Sequence, residues 1–151
     1  MPMVEVSDWV EADADAVYAR LTQMEEFPTM MANIESVSVR ETGTGYTVSE
    51  WVAKLQGTRF RWVERDEFFP EERRITFHQI EGDLKVFQGE WRIVKDGARA
   101  EVTLVTEFEF GIPMLAGLLN PVARYALRQN GLSMVRGIQQ ALARNPSGSP
   151  E

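Results

Sequence analysis

Hydrophobic and polar residues alternate with a period of two through the middle of the chain, and with a helical period only towards its two ends. Met3–Val10 alternates and is rich in β-branched residues (Val4, Val6, Val10), which predicts a first strand. Asp13 is placed to cap a helix over Ala14–Met24, with Val17, Leu21 and Met24 forming an apolar stripe at i, i+4 and i+7. Phe27-Pro28 stops or redirects that helix, and Thr29–Asn33 suits a short second helical turn. From Ile34 the period becomes two. Ile34–Glu41 and Tyr46–Leu55 flank the turn Thr42-Gly43-Thr44-Gly45, and Gln56-Gly57 separates Leu55 from Thr58–Phe68. Breaks at Pro70–Arg73, Glu81-Gly82-Asp83 and Lys95-Asp96-Gly97 then mark off Arg74–Ile80, Leu84–Val94 and Ala98–Phe110. These short turns predict an antiparallel meander.

Beyond Gly111-Ile112-Pro113 the pattern is helical. Met114–Leu119 suits a short helix, Asn120-Pro121 suits an N-cap followed by proline, and Val122–Ala143 suits one long helix. Its apolar or small positions include Val122, Ala126, Ser133, Gly137, Ile138, Ala141 and Leu142. The tail, residues 145–151, is rich in Pro, Ser and Gly and is expected to be disordered. One α+β domain over residues 1–144 follows. A seven-stranded sheet curved around a single long helix cannot fill its concave face with that helix, so a cavity is the expected remainder.

Composition narrows the chemistry. The 151 residues contain no cysteine and one histidine, His78. Disulfides, thiol nucleophiles and cysteine-ligated metals are therefore excluded, and no metal or other cofactor is expected. With 23 acidic against 16 basic residues and a net charge of −7, a nucleic-acid surface is disfavoured. No basic n-region or long apolar run marks the N-terminus, and Asn120-Pro121 interrupts the longest apolar stretch, near Leu115–Leu119. A cytoplasmic location is the expectation, with transient membrane contact left open.

Strand parity assigns faces. On Thr58–Glu67, Phe60, Trp62, Glu64 and Asp66 share one face, and Arg59, Arg61 and Arg65 share the other; the arginine face goes to water. The same logic turns Ile75, Phe77 and Gln79 inward and His78 outward. Phe87, Trp91 and Ile93 also point in, as do Val102, Leu104, Thr106, Phe108 and Phe110. These aromatics are core on one reading and, with adaptable Met30, Met31 and Met134, the lining of a pocket on the other. Glu64 is the more informative residue. A buried carboxyl must be paired, protonated or wet, which makes it an acid/base or ligand-orienting candidate unless the sheet edge solvates it. His78 would serve as a base only if a bulge reversed its parity. Tyr125 and Gln129, at i and i+4 on the long helix, can share a face towards the cavity or shield the rim. Gly43-Thr44-Gly45 begins like a dinucleotide fingerprint, but strand follows it, so it is a turn.

The order of elements resembles the START-like (SRPBCC) superfamily with its helix-grip fold, and within it the polyketide cyclase/dehydrase and coenzyme Q-binding branch. The segments carrying the resemblance are VEADADAVYARLTQMEEFPTMM (10–31), FRWVERDEFFPEERRITFHQIEGDLKVFQGEWRI (60–93) and TEFEFGIPML (106–115). The resemblance implies a pocket with Phe27, Met30 and Met31 near its entrance and Trp62, Phe87, Trp91 and Phe108 in its walls. Tyr125 and Gln129 would come from the gripping helix. Related aromatase/cyclases place a pocket arginine four residues after the strand tryptophan, where this chain has Asp66, and a second where it has Gln79. The expected function is binding of a hydrophobic lipid, quinone or aromatic polyketide-like molecule, as carrier or chaperone. The alternative is a cofactor-free aromatase/cyclase or dehydratase using Glu64, Tyr125 or His78 to move protons.

Overall fold

The structure is a computed structural model that describes residues 3–55, 57–109 and 113–144. Strand β1 (Met3–Val10) leads into α1 (Ala14–Thr22), a 3-10 turn (Met24–Glu26) and α2 (Phe27–Met30). Six further strands follow: β2 (Ile34–Gly43), β3 (Tyr46–Leu55), β4 (Thr58–Phe69), β5 (Arg74–Gly82), β6 (Val86–Asp96) and β7 (Arg99–Glu109). Helix α3 (Pro113–Arg144) closes the fold. All strands lie in one antiparallel sheet in the order β1-β7-β6-β5-β4-β3-β2, so the first strand closes on the last. α3 packs across β1 and β7 and reaches α1, α2 and β3. This is the helix-grip arrangement.

The turns obey their residues. The β2–β3 hairpin pairs Gly43 with Tyr46 around Thr44-Gly45, where Gly45 takes φ +76° at no steric cost. Asp13 caps α1 by accepting the Asp15 N–H at 3.0 Å. The arginines of β4 go to the outer face as expected: Arg59 grips Glu35 with two hydrogen bonds, and Arg61 pairs with Glu50.

Two helical boundaries differ from the sequence reading. α1 ends at Thr22, short of the expected Met24, and the second helical turn, expected over Thr29–Asn33 after a stop or redirection at Phe27-Pro28, begins at Phe27 itself. A proline in the first helical turn forfeits only an N–H that has no partner there, so it starts a helix as readily as it ends one. Near the C-terminus, α3 runs without a break through Pro121, where a cap between two helices was expected. The missing proline N–H removes one bond from a 32-residue helix, which its flanking turns sustain. Ser133, placed on the apolar stripe, is exposed. Gln56, Phe110, Gly111-Ile112 and the 145–151 tail lie outside the described residues. Among the described residues no helix is long and apolar enough to cross a membrane.

Neighbouring elements come closest where side chains vanish. A Cβ on Gly137 would stand 2.3 Å from the Met30 carbonyl oxygen, so α3 and α2 touch backbone to backbone. A Cβ on Gly89 would lie 1.8 Å from the Val105 oxygen and 2.9 Å from the Phe77 ring, so β6 has no room for a side chain there. Glycine to alanine inside a helix ordinarily stabilises by about 1 kcal/mol. Gly137→Ala is expected to do the reverse and cost about 1–3 kcal/mol, because a backbone carbonyl cannot swing aside. Urea unfolding reads this as a lower midpoint at constant slope, and an unchanged or raised midpoint would refute the close approach.

Candidate functional site

Strand β4 carries two carboxyl groups into the interior. Positions 62, 64 and 66 share its inner face, and both flanking strands cover that face: Ser49 and Thr47 pair with Glu64 and Asp66 from β3, and Gln79 and Phe77 from β5. Glu64 is 3% exposed and Asp66 is fully buried. A bulge in β5 at Ile80 shifts the register between Val63 and Glu64, and it falls after His78, so the outward parity of His78 survives. His78 is accordingly exposed on the outer face, opposite Arg65.

The pair is held by a chain of donors. The Trp51 indole N–H donates to Ser49 Oγ at 2.8 Å, and Ser49 Oγ donates to Asp66 Oδ2 at 2.7 Å. Thr47 Oγ1 adds a bond to the same oxygen at 3.2 Å, and the Trp62 indole N–H donates to Glu64 Oε1 at 2.7 Å. Trp51 and Trp62 themselves stack 5.8 Å apart. The two carboxyl groups face each other's charge on that buried face, which disfavours ionising both. Asp66 Oδ1 is buried and has no hydrogen-bond partner. Burial pushes the Glu64 carboxyl well above its ordinary range, the Asp66 charge pushes it further, and the Trp62 bond only partly opposes them. Asp66 is raised by burial too, against the pull of Glu64, Ser49, Thr47 and the His78 charge.

Glu64 opens onto a cavity of about 50 Å³ between sheet and helix. Trp51, Trp62, Phe77, Phe87 and Trp91 wall it from the sheet, and Leu127, Asn130 and Met134 close it from α3. An outer chamber of about 30 Å³ shares Trp62, Phe87, Leu127 and Asn130 and adds Phe60, Gln79 and Leu84. Its wall includes the exposed Arg61 and Asp83, so it reaches the surface. The rings of Trp62 and Phe87, 5.1 Å apart, stand where the two chambers meet. Among the described residues no group of three His, Asp or Glu side chains could hold a metal ion.

Several expected positions move. Phe27, Met31 and Phe108 are packed in the core and line neither chamber; Phe27 meets Trp51 edge-on at 5.6 Å. Met30 lies over the backbone contact with Gly137 and is half-buried. Tyr125 is 60% exposed and Gln129 is exposed, so the helix turns neither of them to the cavity. The helix presents Leu127, Asn130 and Met134, at i, i+3 and i+7, and sequence reasoning missed Leu127 and Asn130. The signal was there in principle: Leu127, Met134, Ile138 and Ala141 trace one stripe, with Asn130 the polar residue set into it.

The family model described as polyketide cyclase/dehydrase and lipid transport matches residues 10–135. The chain belongs to that family. Solved structures of similar shape place this family member among START-like folds. A protein of Thermus thermophilus aligns at 28% identity and a TM-score of 0.89, covering 95% of this chain and 99% of that one. The Zhui aromatase/cyclase of Streptomyces sp. R1128 aligns at 22% identity and 0.85, covering 95% and 94%. A START superfamily protein from Mycobacterium smegmatis aligns at 16% identity and 0.79, covering 94% and 97%. No curated protein matches this polyketide cyclase/dehydrase and lipid transport family member in sequence.

A carboxyl raised on folding holds its proton more tightly in the native state than in the unfolded chain. Its stabilising share is present below the ordinary value of 4.5 and is lost as pH rises through the native value. Glu64→Gln cannot ionise. It should therefore gain stability over the parent as pH rises, by at most about 1.4 kcal/mol per pH unit. Urea unfolding from about pH 5 to about pH 8 measures the difference, and a gap that stays flat would show that Glu64 is ordinary.

Proposed function

We propose that the protein binds a hydrophobic small molecule with a flat aromatic body between the sheet and α3, as a carrier or chaperone. The observation that supports this best is the walled chamber itself. Five aromatic side chains surround space at the centre of the domain, beside a single carboxyl that orients rather than fills. A domain of this size has ample apolar material to pack that space solid, and its close approaches at Gly89 and Gly137 show backbones packed tightly elsewhere. The space persists because rigid rings on a curved sheet leave it. Its free volume is smaller than such a ligand, so uptake requires Leu127 and the thioethers of Met24 and Met134 to move.

Denaturing extraction of the purified protein followed by mass spectrometry should release an apolar aromatic, quinone or lipid. Quenching of Trp51, Trp62 and Trp91 fluorescence should report uptake of added compounds of that class. Leu127→Trp fills both chambers from the helix side and should weaken uptake at least about tenfold, while circular dichroism and urea slope stay those of the parent. A protein that carries nothing and takes up nothing ends this reading.

One observation favours a second reading. A protonated carboxyl facing an apolar chamber is the arrangement a general acid needs, which suits a cofactor-free cyclase or dehydratase. On that reading Glu64→Ala lowers turnover of a poly-β-ketone thioester at least about 100-fold, while Tyr125→Phe and His78→Ala, on the solvent side, stay within about twofold of the parent. Equal turnover by Glu64→Ala and the parent would remove Glu64 as the acid.

A further inference from the structure

The wall of the inner chamber holds a buried acceptor without a donor. Trp62 spends its N–H on Glu64 Oε1, and Glu64 shares its buried face with Asp66. Asn130, on α3 opposite Glu64, gives its Nδ2 to Met134 Sδ at 3.5 Å, a weak acceptor. Its Oδ1 is sealed from solvent and accepts nothing. In the outer chamber the amides and carboxylates are occupied: Gln79 Nε2 donates to the Leu84 carbonyl, and Asp83 Oδ2 accepts the Arg61 backbone N–H at 2.8 Å. The Arg61 guanidinium turns outward to Glu50, and among the described residues neither lysine nor arginine lines the inner chamber. Thr106, from β7, also lines it, with a hydroxyl that can donate or accept; the acceptor sealed there without a donor is Asn130 Oδ1.

We infer that the ligand carries a hydroxyl on its aromatic body, a neutral phenol or enol, whose O–H is donated to Asn130 Oδ1 with Glu64 Oε1 as the neighbouring acceptor. A buried acceptor without a donor is costly, and a ligand hydroxyl supplies the donor that Asn130 Oδ1 lacks. A ketone or hydrocarbon leaves Asn130 unsatisfied. A carboxylate meets no cation and two carboxyl groups. This rests on the cavity reading above and goes beyond it by naming the functional group.

The test is a matched series on one flat body, followed by tryptophan fluorescence at neutral pH: naphthalene, 2-naphthol, 2-acetonaphthone, 2-naphthoate and 2-naphthylmethylamine. The naphthol should bind at least about tenfold tighter than naphthalene and the ketone. Asn130→Leu, of similar volume and free of polar atoms, should bind the naphthol no better than it binds naphthalene. If naphthalene binds and the hydroxyl adds nothing, the inference fails and the cavity reading stands. A naphthoate that binds best also overturns it. So does a naphthylmethylamine that binds best, by showing the carboxyl pair to be a counter-ion. If none of the five quenches, the cavity reading and the inference fall together.

Discussion

Residues two apart on a strand must share a face, and on β4 the shared face is the inner one. That constraint carries Glu64 and Asp66 into the core along with Trp62, and much of the neighbouring structure answers to it. Two carboxyl groups out of water cannot both be charged, so one keeps its proton. The rest of their hydrogen-bonding capacity is met from the adjacent strand, by Ser49 and Thr47 across the ladder and by Trp51 behind Ser49. Trp51 and Trp62 thus have two tasks at once. Their rings form wall, and their N–H groups are the donors that make a buried acid pair tolerable. Removing the acids would free the indoles, and removing the indoles would strand the acids.

The sheet was legible in the sequence because a period of two has only one failure mode, a bulge, and the bulge at Ile80 fell where it could not disturb His78 or Gln79. Trp62, Phe77, Phe87 and Trp91 therefore stand on the faces that parity gave them. The helix was less legible. α3 has small or apolar residues around much of its circumference, so Ala126, Gly137 and Ala141 are compatible with more than one phase. Tyr125 and Gln129 share a face at i, i+4 as well as Leu127 and Met134 do at i, i+7. The phase is decided by where the helix backbone can approach its neighbours, at Gly131 against Val6 and at Gly137 against Met30, and those partners are distant in sequence. Phe27-Pro28 failed for a different reason. Proline marks a helix boundary without saying which side of it the helix lies on.

The chamber is cheap to keep. At about 24 cal/mol per Å³, an unfilled inner volume of about 50 Å³ costs on the order of 1 kcal/mol. A domain holding about 5–15 kcal/mol in total can carry that. The greater cost is polar: an acid pair and an amide oxygen placed where leucines would pack. A cavity left by imperfect packing would be lined by apolar groups alone. This one has polar groups on opposite walls, Glu64 and Thr106 from the sheet and Asn130 from the helix, with aromatic faces between them.

That opposition bears on how carrier and cyclase relate within one fold. The resemblance to aromatase/cyclases anticipates positive charge after the strand tryptophan, where an arginine would attract ketone oxygens. Asp66 reverses the sign at that position, and Gln79, at the second one, spends its amide on Leu84. What the interior lacks is a cation for a ketone, and the donorless Asn130 Oδ1 is proposed to accept a hydrogen bond from an enol or a phenol. A keto group and its enol differ by the position of one proton, and the enol alone presents O–H. On that proposal the chamber favours the enolised partner of any such pair. It would do so by binding alone, whether or not Glu64 ever gives up its proton.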